Sequence, residues 1–330
     1  MKNGKVSETV LKRSILKQMQ EKRPETIIGA SYGADCAAVA FAPEEACVIH
    51  TNPMTFTQPV STAFGFHSVR NSLSVVGARM SGITVTALFP PETEEAQIKA
   101  SARELADACA AFHVEALGGH TEITSAVVRP VFSFTGIGAV SRAALEQHEK
   151  AQPGDDLVLT KSIGLAGTSY LAQARRAALL ERIPEYLVDR AVDFAKAWSI
   201  TEEAEIARTR GARAMHDLSF GGVFGGLWEF AEQNDIGMEI DLKRIPLEQE
   251  TVEICEIVGC NPYELLSTGS LLLATADGGA LVQALKAGGI PAAVIGKATN
   301  KNDRCLHNED EVRYIDVPKP DALYQVFAAN

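Results

Sequence analysis

The chain has 330 residues, 46% hydrophobic and 22% charged, with 31 Lys and Arg against 42 Asp and Glu and a formal net charge of −11. That length exceeds one ordinary core and predicts two domains, while the composition excludes a chain disordered for lack of apolar residues. The acidic balance without a Lys/Arg cluster argues against nucleic acid as a partner. No apolar run reaches the length of a membrane span, so the expectation is a cytoplasmic protein without a membrane partner.

In chain order, Val10, Leu11, Ile15, Leu16 and Met19 have helical spacing and stop before Lys22-Arg23-Pro24. Strands are predicted at Ala37–Phe41 and Cys47–Thr51, then a Thr- and Pro-rich loop, a helix over Ser68–Met80 and a strand over Thr84–Leu88. A helix follows from Glu94 to Phe112, then Val114–Leu117 leading into a Gly118-Gly119 turn, and a strand pair within Val127–Ser141. The polar turn Gln152-Pro153-Gly154-Asp155-Asp156 marks the boundary between domains 1–150 and 151–330. Beyond it come a strand at Leu157–Thr160, helices near Gly167–Leu180, Glu185–Ala197 and Thr201–Arg210, and a strand and helix within Ala212–Gln233. Helix Glu248–Val258, strand Ser270–Ala274, helix Gly279–Ala287 and a strand over Ala292–Ile295 ending at Gly296 complete the pattern. This alternation predicts a layered sheet with helices on one face. Six cysteines without a Cys-x-x-Cys pair read as small buried hydrophobes, and Cys36, beside Asp35, reads either as a buried structural thiol or as a nucleophile.

The segment Ala214-Met215-His216-Asp217-Leu218-Ser219-Phe220-Gly221-Gly222-Val223 carries the most chemistry. A carboxylate ends an apolar strand, a glycine pair follows, and an amphipathic helix begins. Backbone N–H groups freed by the glycines and the helix dipole suit an anion such as phosphate, and Asp217 suits a cation beside it. The bland alternative is a strand-to-helix connection that needs glycine for close packing. Phe220, Phe224 and Trp228 fall at i, i+4 and i+8, a stripe that suits either core or the stacking of a ring. His120 and His216 read either as transition-metal ligands or as loop histidines bonded to backbone.

The order of these pieces resembles the aminoimidazole ribonucleotide (AIR) synthase superfamily, most of all its hydrogenase expression/formation branch. Gly33-Ala34-Asp35-Cys36-Ala37-Ala38 stands for the family's Gly-Asp-Asp-Ala-Ala, Thr51-Asn52 for Thr-Asp, and Asn71-Ser72 with Gly77-Ala78 for Asn-Asp and Gly-Ala. Gly119-His120-Thr121 stands for Gly-Asp-Thr, followed by Pro153-Gly154-Asp155-Asp156-Leu157, Asp217 with Gly221-Gly222-Val223, Ile245-Pro246, Cys255-Glu256-Ile257-Val258-Gly259 and Ala293-Val294-Ile295-Gly296-Lys297. The resemblance implies a mixed α/β fold of two domains. The N-terminal one would form a barrel-like dimer interface and carry nucleotide-site loops, and the C-terminal one would be a layered α/β domain. It further implies a homodimer, a maturation-type protein partner, and ATP with Mg²⁺ bound in a cleft between domains. Asp35, Asn52, Asn71, Gly119, His120, Asp217, Gly221 and Gly222 stand at its nucleotide-site positions, with Asp35 and Asp217 as candidate metal ligands.

The departures matter as much as the matches. Ala34, Asn52, Ser72, His120 and Thr268 stand where the family has acids, Phe220 where the hydrogenase branch has Arg, and Ser267-Thr268-Gly269-Ser270 where it has Asn-Glu-Gly-Lys. Magnesium takes hard oxygen ligands, which neutral side chains supply weakly. The chain also ends Phe327-Ala328-Ala329-Asn330, without the cysteine that carries the modified group in the carboxamide-dehydrating relative. Two readings follow. One is an ATP-dependent phosphoryl transferase or dehydratase acting on a small carbonyl or amide substrate, with Asp35, Asp217 and Glu122 as its acids, Lys161 on phosphate and the two glycine pairs as a cradle. The other is a non-catalytic or redirected ligand-binding paralogue with an eroded Mg-ATP site, and the missing acids favour it. No catalytic residue is assigned.

Overall fold

The computed structural model describes residues 4–32, 36–55, 61–147 and 149–328. Contacts divide the chain into two units, Met1–Glu146 and Gln147–Asn330. In the first, strands β1 (Gly4–Lys5), β4 (Glu45–Met54), β5 (Arg79–Phe89), β6 (Glu115–Ile123) and β7 (Val131–Ser141) form a sheet in the order β1-β6-β5-β7-β4, while β2 (Thr26–Ile28) pairs with β3 (Ala38–Val39). Only β5 and β6 run parallel in the larger sheet, and the helix Glu95–Ala111 makes the crossover that a parallel pair requires. Among the described residues this is an open sheet, and no closed barrel is formed within the chain.

Local chemistry explains where these elements begin. Glu94 and Gln97 form a capping box that starts the crossover helix, whose buried Ile98, Ala102 and Leu105 make its inner stripe. The preceding helix spans Thr62–Val75, six residues earlier than its apolar spacing predicts. Its start is fixed by Ser61, whose hydroxyl accepts from the Phe64 amide, and by Glu104 of the crossover helix, which accepts from the Thr62 amide at 2.9 Å. A cap supplied 42 residues away leaves no mark in the local pattern. The glycine pair expected as a turn lies inside β6. A side chain on Gly119 would place its Cβ 1.9 Å from the Val85 carbonyl oxygen, so glycine here permits the close approach of β5. The expected strand pair in 127–141 is a single strand, β7.

The second unit holds β8 (Asp156–Thr160), β9 (Ala214–Asp217), β10 (Gly237–Asp241), β11 (Leu271–Thr275), β12 (Ala292–Thr299), β13 (Arg304–Asn308) and β14 (Glu311–Tyr314) in the order β14-β13-β10-β12-β8-β11-β9. Successive residues of a strand face opposite sides, yet Leu157, Val158 and Leu159, and Leu271 through Ala274, are all 0% exposed. These central strands are therefore covered on both faces, which corrects the expectation of helices on one face. Strand β12 runs through Gly296 instead of ending there, because a side chain at that position would strike the Glu239 carbonyl of β10 at 2.1 Å. The single helix predicted over 167–180 is two, Leu165–Ala174 and Arg176–Leu180. At the break, Arg175 donates to the Val326 carbonyl and lies over the Phe327 ring, a contact with the far end of the chain that local periodicity does not encode. Of the cysteines, Cys109 and Cys255 are buried as expected, but Cys36 and Cys47 are exposed.

The N-terminal segment is held to β6 by Glu115, only 1% exposed, which accepts from the Arg23 amide at 2.8 Å and the Lys22 ammonium at 3.0 Å. Burial pushes this carboxyl up, but the Arg23 amide and Lys22 pull harder and hold it below the ordinary glutamate range. Glu115→Ala is expected to cost ~2 kcal/mol in chemical denaturation and to speed tryptic cleavage after Lys22. Because the folded-state pKa is depressed, this stabilisation is present above the ordinary glutamate value near 4.5 and is lost as pH falls through the lowered one. The difference between variant and parent should accordingly shrink in acid.

Candidate functional site

Strand β9 delivers Asp217 to the edge of the seven-stranded sheet, opposite Leu271 of β11. The chain then turns through Gly221 (φ 80°) and Gly222 (φ 63°) into the helix Gly222–Asn234. Both glycines adopt the left-handed region that other residues enter at a cost. At Gly222 space forbids a side chain as well, since its Cβ would lie 2.4 Å from the Tyr263 carbonyl oxygen. The helix buries Val223, Leu227, Phe230 and Ala231 against the sheet core, which fixes where its N-terminus points. The amphipathic run thus forms as the sequence predicts, and the glycine pair sets its angle of entry.

An anion does sit in this turn, and it belongs to the chain itself. Asp321 is 2% exposed; one carboxylate oxygen accepts from the Gly221 amide at 2.8 Å and the other from the Leu323 amide at 2.9 Å. Burial pushes this carboxyl up, the Leu323, Gly221 and Leu266 amides pull it down, and nearby Glu264 pushes it up again, leaving it at about 6. A negative group at a helix N-terminus also gains from the dipole. Directly after Asp321 the helix Ala322–Ala328 packs into the unit, with Ala322 and Leu323 buried. Tyr324 stacks on Phe220 with ring centroids 6.3 Å apart, and Phe327 meets Tyr170 edge-on at 5.6 Å. Asp321 carries no motif signal. A Pro-Asp pair after Val317-Pro318-Lys319 reads as a turn, and only the fold brings it back to a glycine 100 residues earlier.

Other predicted site residues are also engaged within their own units. The aromatic stripe is divided: Phe224 stacks on Tyr263 at 5.2 Å, and Trp228 is covered by the Arg304 guanidinium at 3.9 Å. Lys161, expected on phosphate, donates to the Ala197 and Ser199 carbonyls and pairs with the buried Glu203 at 2.6 Å. Ser267 and Thr268 are fully buried, and Ser267 bonds to the Gly164 amide and the Leu265 carbonyl. In the first unit Asn52 lies on β4 opposite Phe134, Asn71 is fully buried in the helix Thr62–Val75, and Gly119 and His120 belong to β6. His120 bonds to Glu122 at 2.9 Å and His216 to Glu229 at 3.2 Å, so each histidine has a carboxylate partner two or thirteen residues along the chain. Asp35 lies outside the described residues. Among the described residues no three His, Cys, Asp or Glu side chains come together in a group that could hold a metal ion.

Two family models match the chain. That for the N-terminal domain of AIR synthase related proteins covers residues 33–140, and that for their C-terminal domain covers residues 152–306. The chain belongs to the AIR synthase related family. It is 24% identical over 275 residues to a protein of Methanocaldococcus jannaschii named for hydrogenase expression and formation, covering 82% of this chain and 80% of that one. It is 28% identical over 234 residues to the carbamoyl dehydratase HypE of Rhodobacter capsulatus, covering 69% and 66% of the two chains. Among solved structures, the hydrogenase maturation protein HypE in complex with ATP superposes with a TM-score of 0.80 at 17% identity over 97% of both chains. A HypE–HypF complex gives 0.67 at 18% identity over 82% of this chain and 90% of that one. At such identities the structures establish a shared two-domain, HypE-like fold.

The Asp321 geometry makes a pH prediction. Its folded-state pKa of about 6 exceeds the ordinary aspartate value of 3.8, so the stability it contributes is present below pH 4 and lost as pH rises through about 6. Urea denaturation of Asp321→Asn should show the variant gaining on the parent by roughly 2–3 kcal/mol between pH 4 and pH 7. A constant difference across that range would contradict the assignment.

Proposed function

We propose that this protein is a hydrogenase-maturation-like member of its family that binds a ligand or partner without turning over ATP. The observation that carries this reading is the Asp321 carboxylate on the Gly221 amide, which fills the turn where a phosphate would be expected. Two further observations support it. Lys161 is committed to Glu203 and two carbonyls, and Thr268, at a position where the family has an acid, is fully buried. Magnesium on a triphosphate needs a set of carboxylates, and the neutral residues at family acid positions support a weakened site. On this reading erosion of the site accounts for these changes together.

The competing reading is an ATP-dependent dehydratase or phosphoryl transferase, favoured by the relatives named carbamoyl dehydratase and by the HypE solved with ATP. Calorimetric titration with Mg-ATP separates the two. The expected outcome is no detectable heat for the parent at tens of micromolar protein. Micromolar binding that weakens at least tenfold in Asp217→Asn would establish the competing reading. Asp321→Ala frees the Gly221 amide and is expected to admit inorganic phosphate weakly, seen as a rise in melting temperature with phosphate concentration that the parent lacks.

A cytoplasmic homodimer completes the proposal, with a maturation-type protein as its further partner, as HypF is for HypE in their solved complex. Strand β4 is a ten-residue edge strand, and on it Ile49 is 62% exposed opposite Ile137 of β7. Long edges with exposed apolar residues are what a two-fold sheet contact covers. Light scattering should give a dimer at micromolar concentration, and Ile49→Glu should shift it to monomer. A monomeric parent would rule the dimer out.

A further inference from the structure

In the first unit the larger sheet, the helix Glu95–Ala111 and the N-terminal helical segment line an open cavity of about 360 Å³. That volume lies within the range of small-molecule sites. Its walls are mostly apolar, with Ile15 from the N-terminal segment, Val85 and Phe89 from β5, Ile98 and Leu105 from the helix, and Phe132 from β7. No described residue that lines it is charged. The room arises where side chains are small. Ala87, Ala102 and Ala116 face it, and a Cβ on Gly118 would meet nothing within 4 Å.

Physical chemistry limits what such a space accepts. It has room for several waters, and a buried water needs about two to four polar partners. The polar side chains on the walls are scattered: the hydroxyls of Ser31, Thr84, Ser101 and Thr121 and the thiol of Cys36 are spread around the cavity, and the Thr62 hydroxyl already bonds to the Ser101 carbonyl and Glu104. Poorly partnered waters are displaced favourably by apolar groups. A phosphate or carboxylate placed here would lose its hydration without gaining a counter-charge.

We propose that this cavity is a binding site for one uncharged, mostly apolar small molecule, with the scattered hydroxyls and the Cys36 thiol offering one or two hydrogen bonds. The proposal deepens the binding-protein reading, which supplies the reason to expect a ligand of non-nucleotide chemistry. The probe that tests it is N-phenyl-1-naphthylamine, a neutral fluorophore that brightens in apolar surroundings, titrated into the full chain. A saturable rise with one site per chain is expected. Ala102→Phe and, separately, Ala87→Leu fill the space from two different elements and should each weaken binding at least tenfold while circular dichroism keeps the parent's spectrum. Val128→Ser, at a surface residue 85% exposed, should leave it unchanged. Absence of a saturable signal, or binding that survives whichever filling variants fold, overturns the proposal, as does competitive displacement of the probe by Mg-ATP. Mg-ATP that binds by calorimetry without displacing the probe would instead overturn only the binding-protein reading, so the two failures are told apart.

Discussion

The second unit is organised around one electrostatic contact, the Asp321 carboxylate held by the Gly221 and Leu323 amides. A glycine turn at a helix N-terminus presents N–H groups with no partner of their own, and these must be satisfied by solvent, ligand or chain. Here Asp321 satisfies that of Gly221. The contact joins the start of the helix Gly222–Asn234 to the helix Ala322–Ala328, and the stacking of Tyr324 on Phe220 extends it. A carboxyl so deeply buried stays ionised at neutral pH only at an energetic cost, which its amides and the helix dipole offset in part. The turn is thus a structural clasp within the second unit.

In the first unit the corresponding constraint is close packing of backbone. Gly119 lets β5 and β6 approach, and Glu115 fastens the N-terminal segment across the start of β6. That segment also lines one wall of the cavity, with Leu11, Ile15, Leu16 and Met19. Small residues leave the volume, and hydrophobic neighbours decide what chemistry it tolerates.

Most of the secondary structure is legible in the sequence, for identifiable reasons. The helix Glu95–Ala111 has a capping box and a continuous apolar stripe, and the helix Gly222–Asn234 follows its glycine pair as expected. The errors cluster where a distant residue intervenes: Glu104 capping at Thr62, Arg175 breaking a helix to reach the C-terminal segment, and glycines that read as stops but allow neighbouring strands to close at Gly119 and Gly296. The collinear motifs carried the family, which does not depend on any single site residue.

For the candidate site the division is different. By itself the sequence determined that Asp217 ends a strand, that Gly221 and Gly222 open a helix suited to an anion, and that acids are missing from family positions, because strand and helix periodicity and residue identity are local properties. Only the tertiary structure decided which anion fills the turn, which partners hold Lys161, His120 and His216, and that the aromatic stripe is divided among Tyr324, Tyr263 and Arg304. Hydrogen bonds and ring contacts act over a few ångströms, and residues a hundred positions apart come within that reach only when the chain has folded.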